Sequence, residues 1–185
     1  MFAVFVALLL GTGLMRLVEL VVSVRRMKDK PAAVVSEPWL FPLMATLHTG
    51  LVFGPIAEVW FWERPFLPAV GAAAIAVLVL ATVLRVWTLR TIGAAWNVRV
   101  VAPDEDLVVT SGPYAFIRHP NYLVVILEIV ALPLVHTAWL SAIALTLLNA
   151  VVLMQRIRTE EAMLSQIPAW REAFANRARL IPGVL

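Results

Sequence analysis

The sequence predicts an all-α membrane protein with about five transmembrane helices in a single domain over residues 1–185. Three observations carry this. First, 62% of the 185 residues are hydrophobic and 15% charged, where a soluble domain sits near 45–50% and about 25%. Mean hydropathy is +0.89, and the excess is spread along the whole chain, so one removable leader does not explain it. Second, apolar runs of about twenty residues, the length of a bilayer crossing, recur in order. Third, basic residues flank those runs, as cytoplasmic membrane loops do. The net charge of +3 and pI near 10 therefore read as membrane topology, and nucleic-acid binding is not expected. With no cysteine, disulfides, thiolate metal sites and a cysteine nucleophile are excluded. His48, His119 and His136 are far apart, so no metal site is expected.

The first run, Phe2 to Val24, lacks a charged n-region and a small-residue cleavage site, and is expected to be a retained helix. It carries Arg16 and Glu19, neighbours on one helix face, readable as a packing pair or as the wall of a polar cavity. Arg25, Arg26, Lys28 and Lys30 follow, placing the N-terminus outside and this loop in the cytoplasm. The second span runs from about Trp39 to Trp62; Pro42 is tolerated near its start, whereas Pro55 should kink or interrupt it. His48 and Glu58 are its polar residues, and Trp60 and Trp62 suit the interface. After a short loop the third span, about Ala69 to Leu89, is rich in small residues that allow close helix approach. Arg85 and Arg90 mark its cytoplasmic end. Residues 1–91 are thus three N-terminal spans.

Residues 92–185 read as a long polar loop, a helical hairpin and a C-terminal tail. The polar stretch 91–118 contains two β-branched pieces, Val98-Arg-Val-Val101 and Leu107-Val-Val-Thr110, that suit extended segments or a small hairpin. Ser111-Gly-Pro-Tyr114 is turn chemistry. A loop this long in so small a protein is usually functional. From Tyr122 to Val135 the chain is apolar apart from Glu128 and short for a crossing. His136-Thr137 makes a tight outer turn, and Trp139 to Met154 returns. Arg156, Arg158, Arg171, Arg177 and Arg179 then place the C-terminus in the cytoplasm.

Two polar clusters therefore meet on one membrane face. Arg156 and Glu160, four apart, share a helix face, with Arg158 and Glu161 directed elsewhere. They can bind an anionic and a cationic group, or form an ordinary exposed ion pair. Arg118-His-Pro-Asn-Tyr122 has Pro120 at a first helical position. Its chemistry leaves ligand binding and lipid anchoring both open. No phosphate-binding glycine loop, nucleotide fingerprint, Ser-His-Asp arrangement or metal spacing is present.

At these residues the sequence resembles the isoprenylcysteine carboxyl methyltransferase family. The stretch is Leu107-Val-Val-Thr-Ser-Gly-Pro-Tyr-Ala-Phe-Ile-Arg-His-Pro-Asn-Tyr122, then Arg156-Ile-Arg-Thr-Glu-Glu161, then Leu180-Ile-Pro182. The resemblance implies an integral membrane methyltransferase using S-adenosylmethionine, with S-adenosylhomocysteine as product, in a cytoplasmic pocket built from the C-terminal half. It further implies cofactor contacts at Val101, Asp106, Leu107, Val108, Val109, Tyr114, His119, Pro120, Asn121, Tyr122 and Glu160. Arg156 would face the acceptor's acidic oxygen. The cofactor's methyl is already activated, so the protein's work is alignment.

Two departures stand out: Val124 replaces a small residue, and the tail aromatics are reduced to Trp170 and Phe174. Arg16-Leu-Val-Glu-Leu20, Pro42-x-Met-x-x-x-His48 and Trp96-Asn-Val98 resemble a bacterial branch, implying an inner-membrane location. The acceptor is then an isoprenylcysteine-type carboxylate or a long-chain polyketide hydroxyl such as an alkylpyrone or alkylresorcinol. A hydroxyl would need deprotonation, for which His48, His119 and Glu128 are candidates. The partners expected are a lipophilic or prenylated substrate and membrane lipid. Alternatives are an NADPH-dependent membrane reductase with a related hairpin, and a non-enzymatic membrane scaffold.

Overall fold

A lipid-exposed segment has no water for its N–H and C=O groups, so each apolar run closes into a helix that satisfies them internally. The computed structural model describes residues 1–28, 39–93, 96 and 108–181. It contains α1 (Phe2–Lys28), α2 (Leu40–Phe61), α3 (Pro68–Ile92), α4 (Pro120–Leu134), α5 (Trp139–Leu164) and α6 (Pro168–Phe174). Four of them, α1, α2, α3 and α5, are long and apolar enough to cross a membrane. The fold is an all-α membrane protein, as expected. The first of the β-branched pieces lies outside the described residues.

At the centre is α4, which packs on α3, α5 and α2, while α1 packs on α2. At 15 residues, α4 is about 22 Å long at 1.5 Å per residue, short of the ~30 Å hydrocarbon core. None of its residues is exposed. The main core gathers Phe5, Leu9, Leu51, Ile129, Leu132 and Val135. Gly71 lets α3 close on the end of the hairpin, since a Cβ there would come within 3.0 Å of the Val135 carbonyl. Pro55 does not interrupt α2, which runs through it from Leu40 to Phe61.

The start of α5 would leave backbone N–H groups bare in an apolar setting. Glu58 of α2 supplies the cap: its carboxylate accepts from the backbone N–H groups of Leu140 at 3.1 Å and Ser141 at 2.6 Å. Arg64 closes the pair from the loop, its Nε donating to Glu58 Oε1 at 3.0 Å.

Arg85 corrects the expectation drawn from its place near the end of the third span. It is 2% exposed and turned inward, where Nη1 donates to Glu19 at 2.8 Å and Nε and Nη2 donate to Glu128 at 3.2 and 3.0 Å. Arg16 donates to Glu19 at 3.0 Å and also to Glu128. Two arginines and two glutamates from α1, α3 and α4 thus form one neutral cluster among apolar helices, the arrangement that makes intramembrane charge affordable.

Candidate functional site

The site begins at a tight turn. Gly112–Ala115 is a 3-10 turn whose first residue has φ +57, and a Cβ on Gly112 would fall 2.5 Å from Thr91 Oγ1. Only glycine combines that backbone with that clearance. The turn delivers Tyr114 and Ile117–His119 to the head of α4. There the tail returns: Ile117 and Ala178 form a parallel bridge. Arg118 N–H donates to the Ala178 carbonyl at 2.9 Å and His119 N–H to the Arg179 carbonyl at 3.0 Å.

Three tail and turn arginines hold this closure. Arg177 Nη1 donates to the carbonyls of Thr110 and Tyr114, at 3.3 and 2.6 Å, and its guanidinium lies over Phe174, which stacks on Trp170. Arg118 donates to the Arg177 carbonyl at 2.7 Å and to Glu161 at 3.3 Å, an arrangement unlike lipid anchoring. Arg179 reaches Glu161 at 2.9 Å, and that carboxylate holds the Arg179 guanidinium above its usual pKa. His119 Nε2 faces the same carboxylate at 3.1 Å, so Nε2 carries the proton and donates.

One turn into the bundle, the His119 ring stacks on Tyr122, centroids 5.2 Å apart. The Tyr122 hydroxyl donates to Glu160 and accepts from Arg156 Nε at 2.7 Å. The helix-face expectation holds: Arg156 and Glu160 converge on one atom. Leu180 of the tail packs over the cluster of Tyr122, Leu153 and Ile157. Burial, and then the Glu160 charge, push the Tyr114 phenol well above its ordinary pKa, so it stays neutral and Tyr114 and Glu160 are electrostatic neighbours.

Behind Tyr122 opens a cavity of about 440 Å³ between α1, α2, α4 and α5; its polar wall is Arg16, Glu19, His48, Asn121, Tyr122 and Arg156, and the rest is chiefly apolar. Arg156 Nη1 touches the Met44 sulfur. Glu160 does not line the cavity, whereas Arg156 and Tyr122 do. The hydroxyl of Tyr122 therefore sits on a boundary, with a carboxylate on the tail side and a guanidinium on the cavity side.

A model of the isoprenylcysteine carboxyl methyltransferase family matches residues 74–166, from within α3 to just past Glu161. The chain belongs to the isoprenylcysteine carboxyl methyltransferase family. It is 37% identical over 128 residues to the uncharacterized protein YpbQ of Bacillus subtilis, covering 68% of this chain and 74% of that protein. It is 33% identical over 134 residues to the cobalt-zinc-cadmium resistance protein CzcN of Cupriavidus metallidurans, covering 72% of this chain and 56% of that one. A probable protein-S-isoprenylcysteine O-methyltransferase of rice is 26% identical over 128 residues, covering 68% of this chain and 63% of the rice protein. Among the described residues no group of three or more metal-binding side chains occurs.

Of the residues that the family resemblance singled out, Tyr114, His119, Pro120, Asn121, Tyr122, Arg156 and Glu160 come together around the head of α4. Val108 and Val109 lead into the turn, and Val101, Asp106 and Leu107 lie outside the described residues. The sequence reading left four participants unassigned: Glu161, Arg177 and Arg179, which close the tail, and Met44, which touches Arg156. Glu128 is engaged by Arg16 and Arg85, and His119 by Glu161.

Proposed function

We propose that the protein is an S-adenosylmethionine-dependent O-methyltransferase acting on a lipophilic acceptor, with its site end facing the cytoplasm of a bacterial inner membrane. The observation that carries this reading is the Tyr122 hydroxyl, held between Glu160 on the tail side and Arg156 on the cavity side. The cofactor is assigned to the Glu160 side and the acceptor to the cavity.

The donor set fits the cofactor. Asn121 Oδ1, next to Tyr122 on the cavity wall, is a buried acceptor with no partner, which a hydroxyl or ammonium group of a ligand at that boundary would satisfy. Glu160 accepts from Tyr122 through one oxygen, and its charge suits the ammonium of the methionine moiety. Val101, Asp106, Leu107, Val108, Val109, Tyr114, His119 and Pro120 complete the proposed contact surface. When bound, the cofactor supplies an activated methyl group. The chain's own residues orient the two reactants: Arg156 holds the acceptor oxygen, and Tyr122 ties that arginine to the cofactor side. Alignment of this kind is worth several kcal/mol of barrier. The acceptor is an isoprenylcysteine-type carboxylate or a long-chain hydroxyl, entering from the lipid.

The test is transfer of tritiated methyl from S-adenosylmethionine to S-farnesyl-N-acetylcysteine and to an alkylpyrone, with S-adenosylhomocysteine binding measured in parallel. Glu160→Ala should bind S-adenosylhomocysteine at least about tenfold more weakly, the loss of one charged hydrogen bond. Unchanged binding would remove Glu160 from the cofactor site.

A further inference from the structure

Whether the acceptor arrives as a carboxylate or as a hydroxyl decides whether a base is needed. A carboxylate is already ionised at neutral pH, whereas a phenolic or enolic O–H must lose its proton as the methyl arrives. The structure separates the three candidates for that proton. Glu128 is held by two arginines, Arg16 and Arg85. His119 directs its Nε2 proton at Glu161. His48 is different. Its Nδ1 lies 2.8 Å from the Met44 carbonyl; a carbonyl only accepts, so Nδ1 carries the proton and Nε2 keeps the lone pair. Among the described residues that Nε2 has no hydrogen-bond partner, and His48 lines the cavity.

Position supports the same role. Met44 links the two sites: its carbonyl fixes the His48 tautomer and its sulfur touches Arg156. His48 therefore stands one helical turn, about 6 Å of rise, further along α2 than the residue in contact with Arg156. Arg16, on the same cavity wall, keeps a buried Nε donor without a partner.

We propose that His48 Nε2 is the general base of this enzyme for an acceptor that arrives as a neutral hydroxyl. This rests on the methyltransferase reading above. The acceptor O–H donates to His48 Nε2. As the oxygen attacks the sulfonium methyl, the new C–O bond forms and the C–S bond breaks. The S–C electron pair stays on sulfur, giving neutral S-adenosylhomocysteine, and the acceptor's proton ends on His48. The charged groups acting on that imidazole are Arg16 and Glu19 on α1 and Arg85 on α3, and Arg156 of α5 shares the cavity wall with it.

The test uses the full chain in nanodiscs, with 3-pentadecylphenol and its methyl ether as probes in the presence of S-adenosylhomocysteine, read by tryptophan fluorescence. Wild type should bind the phenol about tenfold more tightly than the ether, and His48→Phe should erase the difference, because the O–H is left unpaired in an apolar cavity. In turnover, methyl transfer to the phenol should fall as pH drops through one titration. His48→Gln should lose that limb and run about 10²-fold slower, the usual worth of a positioned base. Wild-type transfer to the farnesylcysteine carboxylate should show no such limb. Wild-type rates and an unaltered pH profile in His48→Gln would overturn the base. Turnover of the carboxylate with none of the phenol would overturn the base too, since a carboxylate has no proton to give up. Retained S-adenosylhomocysteine affinity in both variants shows that they fold, and failure of wild type to bind it would instead remove the methyltransferase reading.

Discussion

Two charge clusters hold this molecule together, and they sit in opposite surroundings. Arg16, Glu19, Arg85 and Glu128 meet inside the bundle, with Arg85 and Glu128 at 2% and 4% exposure. Arg118, His119, Glu161 and Arg179 meet at its end, where the Arg179 side chain is 55% exposed. The inner cluster joins three helices that are distant in sequence and lends Arg16 and Glu19 to the wall of the cavity. The outer one fastens a tail across the head of α4. Equal pairing does not mean equal energy. An unpaired charge in the apolar interior has no water to fall back on, whereas an exposed arginine exchanges its partner for solvent at little cost.

The largest effect should come from breaking the inner cluster. Glu128→Ala leaves Arg16 and Arg85 without their shared carboxylate, and loss of one member of a buried ion cluster costs about 3–5 kcal/mol. Thermal unfolding in detergent should show it as a large drop in midpoint; a variant as stable as wild type would refute the structural role. Next comes the boundary atom. Tyr122→Phe removes a hydroxyl bonded to two charged groups, worth about 1.5–3 kcal/mol, and should lower methyl transfer roughly 10- to 100-fold. An unaffected rate would place the reacting atoms elsewhere.

The outer cluster should respond more mildly. Glu161→Gln keeps the shape but withdraws the charge that gathers Arg118, His119 and Arg179. S-adenosylhomocysteine should bind about tenfold more weakly, and limited proteolysis should cut residues 175–181 sooner. If tail cleavage is unchanged, Glu161 is not the fastener. Arg179→Ala should cost less than about 1 kcal/mol, and the difference should vanish in high salt as exposed charges are screened. A salt-independent loss would show that this pair is more buried than its exposure implies.

The same contrast governs what the sequence made legible. Spanning helices follow from runs of apolar residues, and the convergence of Arg156 and Glu160 follows from a spacing of four on one helix. Both are local signals. Glu161 escaped because its neighbour Glu160 occupies the other face and its partners come from a turn and a tail some 40 and 20 positions away. No periodicity joins segments that meet through the Ile117–Ala178 bridge. Arg85 was misplaced for a different reason: near a helix end, a cation reads equally well as a topological flank or as an inward charge. Pairing the charges would have separated the two, since Glu128 is an intramembrane acid in need of a cation and Arg16 already has Glu19. The family match begins at residue 74, so Arg16, Glu19 and His48 lie outside it; they stood out in the sequence only as polar residues within apolar runs, and the cavity is what joins them.

The shortness of α4 carries a last consequence. A helix that touches lipid must match the bilayer or deform it, at fractions of a kcal/mol per ångström of hydrophobic mismatch. With none of its residues exposed and with α3, α5 and α2 packed on it, α4 presents little surface on which that rule can act. Adjustment to thicker or thinner lipid falls on the outer helices through tilt, while Tyr122 at the head of α4 keeps its depth relative to its own scaffold. Reconstitution in phosphatidylcholines of increasing acyl length should therefore shift the KM for the lipid-borne acceptor and leave that for S-adenosylmethionine unchanged; a parallel shift in both would show that α4 moves with the membrane.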